Sequence, residues 1–282
     1  MQKKNIKIND NNLPIALFDS GMGGLTVFKA LSDRLPNEDL IYLGDTARLP
    51  YGTKGRDTII RYTLLSAKKL LENGAKMLVI ACNTATATAL PTLQQEFAPL
   101  PVLGVVEPGA KAAANATKNG EIVVIATEAT IASGVYQKAI CQYNPEFHVQ
   151  GKACTLFVPL AEEGFMSGDI VEGIASHYIS KIFDSCLTAP RPDTLLLGCT
   201  HFPPLENALR KVVGNNVTIV NPANTVAESV EEKLTILGLL NKKSRKAKYR
   251  FLTTDNCNRF VRTGKFFLGT SLKISDIELV DL

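Results

Sequence analysis

"MLVIACNTATA" (77–87) and "TLLLGCTHFPP" (194–204) share one layout. Each is a run of apolar residues, a small residue, a cysteine, a polar residue and then the start of a helical pattern. An uninterrupted apolar run predicts a strand buried on both faces, as in a parallel sheet covered by helices. The layout therefore delivers Cys82 and Cys199 to the carboxyl ends of two central strands. In open α/β sheets that edge is where ligands bind.

The same alternation runs along the chain. Strands are predicted at "IALF" (15–18), "LIYLG" (40–44), "MLVIA" (77–81), "VLGVV" (102–106), "IVVIA" (122–126), "LLLG" (195–198), "VTIV" (217–220) and "RFLTT" (250–254). Amphipathic helical stretches lie between them, such as 58–74, closed by Gly74, and 168–187. The class is α/β. Upstream of each cysteine lies a second similar unit. "IALFDSGMGG" (15–24) is a strand ending in Asp19-Ser20-Gly21, and "IVVIATEATIAS" (122–133) is a strand ending in Thr127. Two copies of one layout follow: two pseudosymmetric domains with mostly parallel sheets, flanked by helices, and a cleft between them.

Boundaries are expected near "EPGAKAA" (107–113) and "NPANT" (221–225). They give a flexible extension over 1–13, a first domain over 14–108 and 222–282, and a second over 109–221. The last sixty or so residues hold too little for a third core and are expected to rejoin the first domain.

Composition excludes several classes. The chain has 282 residues, 45% hydrophobic and 21% charged, with a net charge of +4. That is an ordinary globular balance, and the one basic cluster (242–250) reads as a solvated linker rather than a nucleic-acid face. The polar start "MQKKNIKINDNN" lacks the apolar core of a signal peptide. No apolar run is long enough to span a membrane. None of the six cysteines lies close enough to another for a zinc or redox CxxC site, so free thiols in a reducing cytoplasm are expected. Neither a Walker loop nor a dinucleotide fingerprint is present, so no cofactor and no metal is expected.

The remaining chemistry lies in short motifs. In "FDSGMGGLTV" (18–27) the glycines suit close backbone approach and a nest of N–H groups for an anion. Asp19 could hold an amine or orient a base; the alternative is a tight turn with a solvent-facing acid. "LPYGT" (49–53) could offer the Tyr51 and Gly52 N–H groups and a hydroxyl to a carboxylate, or be only a turn. A thiol at a helix N-terminus has its thiolate favoured. Asn83 and Thr84 add donors beside Cys82, and Thr200 and His201 do so beside Cys199. Glu162 and Glu163 read equally as site acids or as a helix start. His148 and His177 have no comparable setting, and Cys141, Cys154, Cys186 and Cys257 read as structural thiols.

A free thiol has a pKa near 8.5, so modest tuning poises it as a base. Two thiols on opposite faces of one carbon could remove and return its proton, which inverts a stereocentre without a cofactor.

The chain resembles the glutamate racemase family. The matching motifs are "FDSGMGGLTV", "GDTARLPYG", "ACNTATA", "GVVEPGAKAA", "FVPLAEEG" and "LGCTHFP", in family order. The ending "FLTTDNCNRFVRTGKFFLG" matches more loosely. The resemblance implies a cofactor-independent enzyme making D-glutamate for bacterial peptidoglycan. It implies that Cys82 removes the proton from D-glutamate and Cys199 from L-glutamate. Asp19 and His201 assist their cysteines, with Glu162 near His201. Asp19-Ser20, Tyr51-Gly52, Asn83-Thr84 and Thr200-His201 hold the substrate, and Thr127 joins the substrate-binding set. It also implies a homodimer, and in some longer members activation by a UDP-muramoyl-alanine nucleotide. One departure is Ala126, where the family commonly has Gly; a methyl there is expected to narrow the cleft slightly.

Three rivals are weighed on residues. Aspartate racemases of the superfamily typically carry Glu where His201 stands. A decarboxylase relative keeps one of the two cysteines. A non-catalytic two-lobed amino-acid binding protein fits the clefts but leaves the paired Cys-polar helix starts unexplained.

Overall fold

In the computed structural model, residues 10–184, 190–242 and 246–282 are described. Cys186 and part of the 1–13 extension and of the 242–250 basic run lie outside them.

Among the described residues, ten strands form two sheets. The first contains β1 (Ile15–Asp19), β2 (Leu40–Gly44), β3 (Met77–Ile80), β4 (Val102–Gly104), β9 (Tyr249–Thr253) and β10 (Ile277–Leu279). Their order is β10-β9-β2-β1-β3-β4, with every pair parallel. The second contains β5 (Glu121–Ala126), β6 (His148–Ala153), β7 (Thr194–Leu197) and β8 (Thr218–Val220) in the order β6-β5-β7-β8, again all parallel. The expected class, two parallel sheets flanked by helices, is borne out.

The helices are α1 (Leu25–Arg34), α2 (Arg56–Leu70), α3 (Asn83–Glu96), α4 (Val106–Ala116), α5 (Glu128–Ser133), α6 (Val135–Cys141), α7 (Phe157–Glu162), α8 (Asp169–Asp184), α9 (Glu206–Val213), α10 (Ala223–Ile236) and α11 (Cys257–Leu268). Side chains alternate across each strand, so every sheet feeds two cores. In the first sheet Ile15, Leu17, Tyr42 and Val79 pack with residues of α1, α10 and α11, while Ala16, Phe18, Ile41 and Ile80 pack with residues of α2 and α3. In the second, Ile125, Leu195 and Leu197 face residues of α7, α8 and α9, while Ile122, Val124 and Leu196 face residues of α4 and α6.

Several local expectations need correction. The strand expected over 102–106 ends at Gly104, and α4 begins at Val106, so Pro108-Gly109 lie inside a helix rather than in a break. The helix expected over 58–74 is α2 followed by a 3-10 turn, Leu71–Asn73, and Gly74 takes the φ of 82° that ends it. Two edge strands, β6 and β10, were not expected at all.

A buried ion pair joins the far end of the first sheet. Lys76 and Glu38 are 0% and 2% exposed and form a salt bridge. Lys76 Nζ also donates to Asn11 O and Leu239 O, each at 2.9 Å. Glu38 Oε1 accepts from Asn241 N at 2.7 Å.

Candidate active site

Strand and helix chemistry position the first cysteine. β3 ends at Ile80, and Cys82 caps α3, its sulfur accepting from Ala85 N at 3.4 Å. The thiol in turn donates to Ser20 Oγ at 3.4 Å. Ser20 follows β1, the strand beside β3, so two neighbouring strand ends supply this wall. Cys199 follows β7 in the other sheet. Both thiols are nearly sealed, at 5% and 6% exposure.

The two cysteines line one cleft with Ser20, Tyr51, Gly52, Asn83, Thr84, Thr127, Thr200 and His201, around an empty space of about 320 Å³. Asp19 and Glu162 stand directly behind it. Asp19 Oδ1 accepts from Gly21 N at 2.8 Å, and its Oδ2 accepts from Thr200 Oγ1 at 3.1 Å. His201 Nε2 pairs with Glu162 Oε1 at 2.7 Å, both groups buried. The residues singled out in the sequence for the site are thus brought to this cleft or its immediate backing, except Glu163, which is exposed and pairs with Arg259.

Burial dominates the electrostatics. It pushes the Cys82 thiol up to about 12, and the nearby Asp19 carboxylate adds to the shift against the Ser20 and Ala85 hydrogen bonds. Burial also raises Asp19, although His201 and two hydrogen bonds oppose it. For His201, burial works against the charged ring, but Cys199 and Glu162 outweigh it and hold the imidazole well above its ordinary value. Both shifts favour the protonated forms, the Cys82 thiol on one side and the His201 imidazolium beside Cys199 on the other.

The glycine motif serves close approach rather than an anion nest. A Cβ on Gly23 would lie 2.5 Å from His201 Nδ1 and 2.6 Å from Thr200 Oγ1. Bare backbone of the first lobe thus abuts the Thr200-His201 pair of the second. The Gly21 N–H, one of the N–H groups of this turn, is taken by Asp19.

Other details also differ from expectation. The Tyr51 hydroxyl donates to Asp45 Oδ2 at 2.6 Å, so it is not free for a substrate. Tyr51 and Gly52 open a 3-10 turn, Tyr51–Thr53, whose first N–H groups have no partner within it. Glu162 ends α7 rather than starting a helix. The Ala126 methyl faces Gly198, not the cleft: a Cβ on Gly198 would sit 3.2 Å from it. Thr127 Oγ1 shares hydrogen bonds with Thr84 Oγ1 at 2.9 Å, across the two lobes, and with Thr130 Oγ1 at 3.0 Å. Of the remaining thiols, Cys141, Cys154 and Cys257 are free, and His148 pairs with Glu121 away from the cleft.

Sequence reasoning missed three supporting residues. Asp45 is fully buried and gathers Arg48, Tyr51 and Thr254. Its position at the end of β2, matching Asp19 at the end of β1, was the available signal. Arg259 on α11 reaches Glu162 Oε2 at 3.5 Å and Glu163 Oε1 at 3.3 Å. Tyr136 bonds Asn83, and no local pattern marks it. Among the described residues no group of three His, Cys, Asp or Glu could hold a metal ion, and no helix is long and apolar enough to cross a membrane.

Two thiols that follow strands of different sheets thus face one cleft, Cys82 backed by the buried Asp19 and Cys199 followed by the buried His201. The family model described as Asp/Glu/Hydantoin racemase matches residues 25–230. The glutamate racemase of Geobacter metallireducens is 45% identical over 268 residues, 95% of this chain and 96% of its own. The crystal structure of the Francisella tularensis glutamate racemase in complex with D-glutamate has a TM-score of 0.87 and 39% identity, covering 96% of this chain and 98% of that one. The Escherichia coli glutamate racemase, in complex with L-glutamate and the activator UDP-MurNAc-Ala, has a TM-score of 0.71 and 26% identity over 90% of this chain and 95% of that one. The chain belongs to the Asp/Glu/hydantoin racemase family, among its glutamate racemases.

Proposed function

We propose that the chain interconverts L- and D-glutamate by a two-base transfer at Cα, with Cys82 and Cys199 as the two acid/bases. The observation that carries this reading is the pair of buried thiols from different lobes lining one narrow cleft. In the L-to-D direction the Cys199 thiolate takes the Cα proton, and the Cys82 thiol gives its proton to the opposite face. One C–H bond breaks and another forms, with no net redox change. A thiol held protonated by burial suits the donor's role. The carbanionic intermediate needs its negative charge compensated, and His201, buried in the cleft wall with its protonated form favoured, suits that role.

Substrate carboxylates fit the Tyr51 and Gly52 N–H groups, the Asn83 amide and the Thr84, Thr127 and Thr200 hydroxyls, while Ser20 and Asp19 suit the ammonium side. The lobes that would close on the substrate are 14–108 with 222–282, and 109–221. The sharing of β9 and β10 with the first sheet supports that division. The biological reading is supply of D-glutamate for peptidoglycan in the cytoplasm by a homodimer, as in the resembled family. A nucleotide of the class bound by the Escherichia coli relative is the effector to assay.

The deciding experiment is circular-dichroism turnover of L-Glu, D-Glu, L-Asp and D-Asp without pyridoxal phosphate, with and without UDP-MurNAc-Ala. Inversion of both glutamates and neither aspartate is expected. Inversion of aspartate alone would overturn the assignment, and no inversion at all would favour a binding protein.

A further inference from the structure

Tyr136 lies on α6 in the second lobe and is 1% exposed. Its hydroxyl donates to Asn83 Oδ1 in the first lobe at 2.5 Å. The ring is wedged in from two sides. A Cβ on Gly198, the residue before Cys199, would meet Tyr136 Cε2 at 3.0 Å, and one on Gly109 would meet the hydroxyl at 3.1 Å. This aromatic therefore ties the residue after Cys82 to the strand end that carries Cys199.

The direction of the hydrogen bond follows from satisfaction. A buried phenol proton needs an acceptor. Among the described residues Asn83 Oδ1 is the acceptor that takes it. The reverse amide orientation would leave that proton and Oδ1 both without partners. Burial also pushes the phenol far above its ordinary pKa, so it stays a donor. Asn83 is 3% exposed and lines both the cleft and a smaller adjoining pocket that shares Cys199 and Thr200 with it. With Oδ1 spoken for, Nδ2 has no protein partner among the described residues and is left for the cleft.

We propose that Tyr136 is a positioning residue of the racemase site, which locks the Asn83 amide with its NH₂ group toward the substrate, so that the cleft offers a carboxylate a donor and never an acceptor. The inference rests on the reading of Asn83 as a substrate contact. Tyr136 touches no reacting atom and acts only through that amide.

Steady-state kinetics in both directions on Tyr136→Phe, Asn83→Ala and the double variant test it. The phenylalanine keeps the ring between Gly109 and Gly198, so the fold should survive. Loss of one orienting hydrogen bond is expected to raise KM for both enantiomers about tenfold, with kcat within about twofold of native. In the Asn83→Ala background, Tyr136→Phe is expected to change KM no further. Asn83→Asp provides an independent readout. One oxygen would take the phenol proton and the other would turn an acceptor to the cleft, raising KM above that of Asn83→Ala. An equal KM effect of Tyr136→Phe with and without Asn83 would mark a structural role and overturn the proposal. So would a loss confined to kcat, or a KM for Asn83→Asp no higher than that of Asn83→Ala. A native KM in Tyr136→Phe beside a raised KM in Asn83→Ala overturns the Tyr136 assignment alone. A native KM in Asn83→Ala removes Asn83 as a substrate contact, and the proposal with it.

Discussion

Thr200 Oγ1 donates to Asp19 Oδ2 at 3.1 Å, so the residue after one cysteine holds the carboxylate that raises the other. The two halves of the site are therefore not electrostatically independent, although they hang from different sheets.

The simplest consequence concerns the thiols themselves. Cys82→Ala or Cys199→Ala is expected to lower racemisation in both directions by at least about 10³-fold, within the range of a lost general acid or base. Far-ultraviolet circular dichroism should stay native. In deuterated water the native enzyme should convert L-glutamate to D-glutamate carrying deuterium at Cα, read by mass spectrometry. Product that retains the original hydrogen argues against a transfer between two bases.

Asp19 sets up a prediction about thiol acidity. Its carboxylate is the second cause, after burial, of the Cys82 pKa near 12. Asp19→Asn removes a negative charge and so lowers that pKa. In a Cys199→Ala background, iodoacetamide alkylation of Cys82, followed on its own peptide, should reach half-maximal rate at a lower pH than with Asp19 present. An unshifted midpoint would refute the coupling.

The His201–Glu162 pair carries a stability signature. A raised imidazole pKa contributes fully below the unfolded value of about 6.5 and is lost as pH climbs through the higher folded value. Glu162→Gln removes a main support of that charge. The stability gap between native protein and Glu162→Gln should be wider near pH ~6 than near pH ~9, as measured by urea unfolding. The His201 ring should also titrate at lower pH in the variant, visible by NMR of labelled histidine.

Far from the cleft, Lys76→Ala strands the Glu38 charge in the interior. Breaking one side of a buried pair costs about 3–5 kcal/mol. Burial lowers the lysine pKa against the pull of Glu38, so the pair is already under desolvation strain. The double variant Lys76→Met with Glu38→Gln is expected to recover most of the loss, because Gln can still accept from Asn241 N. Chemical denaturation of the three proteins tests this.

The sequence carried the central strands and the cysteine ends, because both depend on local patterns. β1, β3, β5 and β7 are apolar runs buried on two faces, and the capping role of Cys82 follows from a helix starting immediately after a strand. β6 was hidden by its composition: "HVQGKA" is an edge strand with polar residues, none of them fully buried. β10 is three residues at an edge of the first sheet. Glu162 was legible as an acid near the site, but its place at the end of α7 was not, since "FVPLAEEG" suits either end of a short helix. Tyr136 was illegible for a different reason. An aromatic on a short amphipathic helix looks like core, and its partner Asn83 is fifty-three positions away.

The near-complete enclosure of both sulfurs has a kinetic meaning. On the two-base reading, each turnover leaves the thiols with their protons exchanged, Cys82 bare and Cys199 loaded. That form is ready for the product, not for another molecule of the starting enantiomer. Free enzyme is then a pair of isomers, one committed to each hand of the substrate. Resetting one to the other requires solvent protons to enter a cavity that hydrogen bonds across the lobes, Asp19 to Thr200 and Thr84 to Thr127, hold shut. On that reading, turnover at saturating substrate is expected to include a proton-return step that needs these cross-lobe hydrogen bonds to open.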